Sequence, residues 1–325
     1  MTRPLRRGDT VRVRRAAEIL ATLDQNGALE GLPFMPEMVR HCGGRFAVSG
    51  TAARVCDTID WSGSRSIPNT VLLDELRCDG SAHAGCQGEC RYLWKEAWLE
   101  RVKNGEQEAP ANPDEAKDRE ALLDRVRRAV KRTIPVEGGQ IQERYRCQLT
   151  EMKRASQPAS RFPYAQELLS GNVAPGRYAR VIARAFVWET MRRADRLPRI
   201  CLSPTQTPPL RRPALDLKPG EWVRIRSPEE IAETMDATGS TRGLWFDREM
   251  LQFCGRTVRV KERVTRFIHD DGRLINLKSA AVKLEDVHCK GDYSVGRWFC
   301  PRALYPYWRE DWLERAEAPA SAEAG

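Results

Sequence analysis

The chain has no run of about 18 apolar residues, so nothing in it is expected to span a bilayer. It has no Walker A loop, no dinucleotide glycine fingerprint, no Gly-x-Ser-x-Gly and no His-Glu-x-x-His. Nucleotide-driven chemistry and the common hydrolase and zinc-protease sites are therefore not expected. Histidine is scarce, four in 325 residues, and only His83 and His288 lie near the cysteines of the Cys78–Cys90 motif and its counterpart at Cys289, which leaves little for thiol–imidazole catalysis. The basic start MTRPLRRGDT is followed by no apolar stretch, so no signal peptide is expected and the chain is read as cytoplasmic. In a reducing compartment its ten cysteines are not expected to be structural disulfides. They are buried thiols or metal ligands.

What is present is a globular composition, 41% apolar and 30% charged, long enough for two or three domains. The formal charge of +9 comes from 54 Lys+Arg against 45 Asp+Glu. It permits a nucleic-acid partner, but solvated faces account for it more simply, so nucleic acid is not favoured and a protein partner stays open.

An internal repeat organises the chain. With an offset of 212, residues 8–43 align with 220–255 without a gap. Sixteen of 36 pairs are identical, among them Gly8/Gly220, Val11/Val223, Arg12/Arg224, Glu18/Glu230, Phe34/Phe246, Glu37/Glu249, Met38/Met250 and Cys42/Cys254. Chance predicts about 2. The match resumes at Cys78/Cys289 and at Trp94-x-x-x-Trp98 against Trp308-x-x-x-Trp312. Counting back eight from each first Trp pairs Cys86 with Cys300.

Val11-Arg12-Val13-Arg14 and Val223-Arg224-Ile225-Arg226 alternate as half-buried strands do. Ser227-Pro228-Glu229-Glu230 is a helix start, with Ile231 and Met235 on one face, and further short helices are expected near Pro36 and Arg248. More strand-like runs follow in both copies. The opening Gly-Asp-x-Val-Arg-Val, the short strands and the polar turns resemble SH3-like small barrels over about 50 residues per copy. The expected class is α+β, mainly β: two homologous small SH3-like barrel repeats joined by a helical insert. The boundaries read as repeat 1 at 1–104, insert at 105–197, Pro-rich linker at 198–219, repeat 2 at 220–315 and a disordered small-residue tail at 316–325. In the insert, Leu122, Val126, Ala129 and Val130 predict a helix stopped by Pro135. Ile141, Tyr145, Cys147 and Leu149 share strand parity. Tyr178, Val181, Ile182, Ala185 and Phe186 predict the inner face of a second helix, opposite Arg177, Arg180, Arg184 and Arg192.

One constellation carries chemistry. Cys78, His83, Cys86 and Cys90 fall within 13 residues of a glycine-rich stretch. Thiolate and imidazole are ligands of Zn²⁺ and of iron–sulfur clusters. Cys78-Asp79-Gly80-Ser81 is similar to the motif of the CDGSH iron–sulfur proteins. Ala82 displaces the His by one, however, and the upstream Cys-x-Cys is missing, so that family is not assigned. The fourth ligand is either His83, which suits zinc, or Cys147 from the insert, which gives an all-Cys set of Cys78, Cys86, Cys90 and Cys147 suited to an iron–sulfur cluster; the reading leans to the all-Cys set. Copy two keeps Cys289 and Cys300 but has Leu304 for Cys90, and reads as degenerate. Cys42 and Cys254 read as core thiols, Cys56 and Cys201 as inert. Glu37 and Glu249 read as helix-start charges before acid–base groups. The paired tryptophans read as core before a stacking platform for single-stranded nucleic acid.

The sequence thus predicts a cytoplasmic metal-binding tandem-repeat protein, iron–sulfur or zinc, whose reaction is open. The alternatives are a non-catalytic tandem SH3-like binding module for a protein or nucleic-acid partner and, lowest, a metal-free thiol or carboxylate enzyme.

Overall fold

In the computed structural model the described residues are 3–58, 63–102, 113–135, 139–159, 164–193, 201–294 and 297–319. Expectations for Trp61 and Ser62, the start of the insert at 105–112, Ala194, Pro198 and the last residues of the tail fall outside them. The chain is α+β, with antiparallel sheets and short helices. Its contacts divide it into two units. Unit 1 is Met1–Tyr178 with Phe267–Ile275 and Val295–Ala303. Unit 2 is Ala179–Arg266 with Asn276–Ser294 and Leu304–Gly325.

Each unit is built on a five-stranded sheet, and the two sheets share one strand order. In unit 1 the order is Trp94–Lys95, Thr70–Leu73, Arg45–Thr51, Thr10–Val13 and Leu99–Arg101. In the other it is Trp308–Arg309, Leu274–Leu284, Thr257–Ile268, Trp222–Ile225 and Leu313–Arg315. The registers correspond as well: Thr10↔Ala47 answers to Trp222↔Arg259, Val11↔Arg101 to Val223↔Arg315, and Thr70↔Lys95 to Ala281↔Arg309. These are sheets rather than the closed barrels expected.

Alternation in the opening strand buries Val11 and Val13, as it buries Val223 and Ile225. After it, Glu230 and Ser227 close a reciprocal capping box, with Glu230 N–H donating to Ser227 Oγ at 3.2 Å and Ser227 N–H to Glu230 Oε2 at 2.9 Å. The helix Pro228–Ala232 is only five residues long, and Met235 is buried beyond its end. The expected helices at Pro36 and Arg248 are 3-10 helices, Pro36–His41 and Arg248–Phe253.

Trp94, Trp98, Trp308 and Trp312 are all 0% exposed. Phe34 meets Trp94 and Trp98 edge-on at 6.0 and 5.1 Å, and Phe246 meets Trp308 and Trp312 at 6.1 and 5.3 Å. These rings are core and present no stacking platform. Truncating one to Ala costs about 3–5 kcal/mol.

The correspondence reaches further than the sequence alignment. Glu96 Oε1 accepts the Leu5 N–H at 3.2 Å, and Glu310 Oε1 accepts the Leu217 N–H at 3.2 Å. Leu217 is fully buried, so the Pro-rich stretch ends as a packed part of unit 2.

The insert departs from expectation in three places. Its first helix, Glu115–Arg128, buries Leu122 and Val126 but ends before Val130. The β-branched Thr133 and Ile134 instead enter a strand, Lys131–Pro135, paired with Ile141–Tyr145. In that two-stranded ribbon Ile141 is 72% exposed, and the strand stops at Tyr145, because Cys147 begins a turn in which its N–H donates to Thr150 Oγ1 at 2.9 Å. The later helix, Pro175–Arg193, buries Val181 and Ala185 but leaves Phe186 72% exposed.

Candidate metal centre

The loop from Cys78 to Cys90 is closed at its neck by the Cys78 N–H donating to the Cys90 carbonyl at 2.9 Å. Inside, the Gly80 carbonyl accepts from His83 N–H at 2.9 Å and from Gly85 N–H at 3.0 Å. Gly80 has φ +69°, and a Cβ there would stand 2.1 Å from the Cys86 carbonyl oxygen, so only glycine allows the loop to cross itself. Ala84 and Glu89 also hold positive φ, an uncommon strain for non-glycine residues.

The 3-10 helix Pro36–His41 anchors this loop. Glu37 Oε1 accepts from Ala82 N–H at 3.1 Å and pairs with His83 Nδ1 at 2.8 Å, and the Cys78 thiol points at the same oxygen at 3.8 Å. Arg40 pairs with Asp79. His83 Nε2 faces the Arg146 carbonyl at 3.2 Å. Both ring nitrogens therefore meet oxygen atoms. Burial pushes the Glu37 carboxyl up, but the hydrogen bond and charge of His83 outweigh it and hold the group below its ordinary value. Glu37 Oε2 is buried with no partner.

Glu249 repeats this role in copy two. Its carboxylate accepts from the N–H groups of Asp292, Tyr293 and Ser294 at 3.1, 2.6 and 2.7 Å. The shared Phe-x-x-Glu-Met is thus a loop clasp, where the sequence suggested a helix-start charge.

Cys147 reaches the loop from the insert. Gln148 beside it is buried and bonds both ways to Leu93: Leu93 N–H donates to Oε1 at 2.8 Å, and Nε2 donates to the Leu93 carbonyl at 2.8 Å and to the Pro33 carbonyl at 3.0 Å. That staple fixes the turn carrying Cys147 without any metal.

Of the four predicted thiols, the structure brings Cys86 and Cys90 close to each other. A Cβ on Gly88 would lie 3.5 Å from both Cys86 Sγ and Cys90 Sγ, so these sulfurs are at most twice that apart. Burial pushes the Cys78 thiol up, and Glu37, Cys90 and Cys147 push it further. Burial raises Cys147 to about 12, with Cys90 and Cys86 adding to the effect. Cys90 is raised by burial and by Cys86. Each of these thiols stands in the field of others of the set. Backbone donors face two of the sulfurs, with Gly80 N–H on Cys78 Sγ at 3.4 Å and Ile268 N–H on Cys86 Sγ at 3.3 Å.

Among the described residues, one group has three ligand atoms mutually within 4.8 Å: Glu37, Cys78 and His83. This group can hold a metal ion, and of its members sequence reading missed Glu37. Beside it lies a cleft of about 590 Å³ lined by Glu37, Ala82, Arg127, Arg128 and Lys131.

The remaining cysteines differ from expectation in one respect. Cys42 is a core thiol, raised to about 12 by burial. Cys289 N–H bonds the Leu304 carbonyl at 2.8 Å, just as Cys78 bonds Cys90. Cys300, read as part of repeat 2, stands against Cys56 within unit 1, where the Cys56 N–H donates to its sulfur at 3.2 Å. None of the ten cysteines forms a disulfide, and no described helix is long and apolar enough to cross a membrane.

Comparison with protein-family models, with curated proteins and with solved structures finds no match.

Proposed function

We propose that this is a metal-binding protein of a reducing compartment whose unit 1 holds an iron–sulfur cluster on Cys78, Cys86, Cys90 and Cys147. What supports it is the approach of Cys86 to Cys90 in one glycine-rich loop, with Cys78 in the field of Cys90 and Cys147, and Cys147 from the insert in the field of Cys90 and Cys86. A tetrahedral zinc site holds its thiolates about 4 Å apart. Among the described residues no three thiols lie mutually within 4.8 Å, so an all-thiolate zinc site is not formed as the chain stands. The N–H groups of Gly80 and Ile268 face sulfur as donors do around clusters, where they tune the reduction potential. When bound, a cluster supplies one-electron chemistry or a structural brace; the reaction is left open.

The Glu37–Cys78–His83 group supports a second reading, a single zinc ion bound where His83 now pairs with Glu37. Cys90→Ser and Cys147→Ser decide between the two. The cluster reading expects each to remove bound iron, while the zinc reading expects both to keep one zinc, which only Cys78→Ser or His83→Ala removes.

We also read the two sheets as copies of one duplicated unit, on the 16 identities at constant offset and the shared strand order. The SH3-like likeness rests on the opening strand pattern alone.

A further inference from the structure

A second thiol arrangement lies outside the four-cysteine group. Cys56, in the strand Val55–Cys56, and Cys300 are 244 residues apart and both buried. The Cys56 N–H donates to Cys300 Sγ at 3.2 Å, and the two thiols share a hydrogen bond. Arg302 is buried beside them, its Nη1 donating to the Cys56 carbonyl at 3.0 Å and reaching Cys56 Sγ at 3.6 Å.

A guanidinium does not give up its proton, so a buried one requires negative charge nearby. The groups acting on Arg302 most strongly with that sign are Cys56, then Cys300 and Cys90, with the Asp270 carboxyl also in its field. The hydrogen bond from Cys300 and the charges of Arg302 and Arg297 draw the Cys56 thiol down to about 6 against burial. A thiolate next to a second thiol is the arrangement of a redox couple. Because both sulfurs are buried, the oxidant that reaches them has to be small and uncharged.

We propose that Cys56 and Cys300 are a peroxide-reactive dithiol, with Cys56 as the attacking thiolate, Cys300 as the resolving thiol and Arg302 as the positioning cation. The Cys56 thiolate attacks one oxygen of hydrogen peroxide and the O–O bond breaks. Sulfur is oxidised to the sulfenic acid, and the departing hydroxide takes up a proton to become water. Cys300 then loses its proton and attacks the sulfenic sulfur; the S–O bond breaks and the hydroxyl leaves as a second water. One dithiol and one peroxide become one disulfide and two waters.

The test treats the full, reduced chain with hydrogen peroxide and maps it by mass spectrometry without reductant. The proposal expects a Cys56–Cys300 linked peptide, two hydrogens lighter than the dithiol and released by reductant. Cys300→Ser should accumulate a sulfenic acid at Cys56 that a dimedone-type probe captures once the peroxide is removed and the chain is unfolded in the probe's presence. Assayed at a pH below the thiol's pKa, where each pKa unit is a tenfold change in thiolate supply, Arg302→Gln should slow linkage about tenfold or more, while Arg302→Lys retains most of the rate. Failure of the wild-type chain to form the link in excess peroxide overturns the proposal. So does loss of bound metal in Cys56→Ser or Cys300→Ser, which would make these residues metal ligands instead. If the link forms in a metal-free chain, this proposal stands and the cluster reading fails.

Discussion

The Glu37–His83 pair gives the sharpest test of how the loop is held. Glu37 sits on the 3-10 helix, His83 sits in the loop, and both are buried. Glu37→Gln keeps the shape and an oxygen for the Ala82 N–H but removes the charge facing His83 Nδ1. Breaking one side of a buried pair costs about 3–5 kcal/mol, because the surviving partner is left uncompensated. At 1.4 kcal/mol per tenfold, a 3 kcal/mol loss raises the open population by about two orders of magnitude. Amide exchange followed by mass spectrometry reads this locally, in peptides covering 78–90, where the His83 and Cys86 N–H groups are internally bonded. His83→Gln should cost a similar amount. The double variant should recover a coupling of at least about 1.5 kcal/mol, since no lone charge remains. Single costs below about 1 kcal/mol, or losses that add within about 0.5 kcal/mol, would refute a coupled buried pair.

Gly80→Ala should abolish metal binding and lower the melting temperature, whereas Gly176→Ala, with open space around it and no positive φ, should leave metal content unchanged; equal effects in metal analysis would contradict the crossing geometry. Burial lifts the Glu167 carboxyl from 4.5 to about 7 despite the Asn172 hydrogen bond. A folded-state pKa above the unfolded one means that the folded state holds the proton more tightly. Its contribution is complete below 4.5 and is lost as pH rises toward 7, so Glu167→Gln should flatten that decline in denaturant titrations. Cys289→Ser should leave metal content unaltered, because copy two offers Leu304 where Cys90 stands.

Much of the fold was legible because residues aligned at a constant offset share their strand register. An alignment at offset 212 carries the Thr10↔Ala47 pairing onto Trp222↔Arg259. Of the candidate site, Cys78 and His83 were legible from their clustering in one short glycine-rich stretch. Glu37 was hidden because its clasp to Ala82 and His83 spans 45 residues or more, and local pattern sees only a helix start. Cys300 was misplaced for a related reason. Counting from Trp308 fixes its equivalence to Cys86, but its contact with Cys56 is a long-range packing outcome. Ile141 and Phe186 failed because parity and periodicity assume a covered face, and a two-stranded ribbon or a helix flank leaves one bare.

The central claim is most directly tested by iron, acid-labile sulfide and zinc analysis of the anaerobically purified chain, together with its visible absorption. The account predicts a brown protein with about four iron and four sulfide per chain, both lost in Cys90→Ser and Cys147→Ser. A colourless, normally folded wild type, whether metal-free or carrying one zinc, would contradict it.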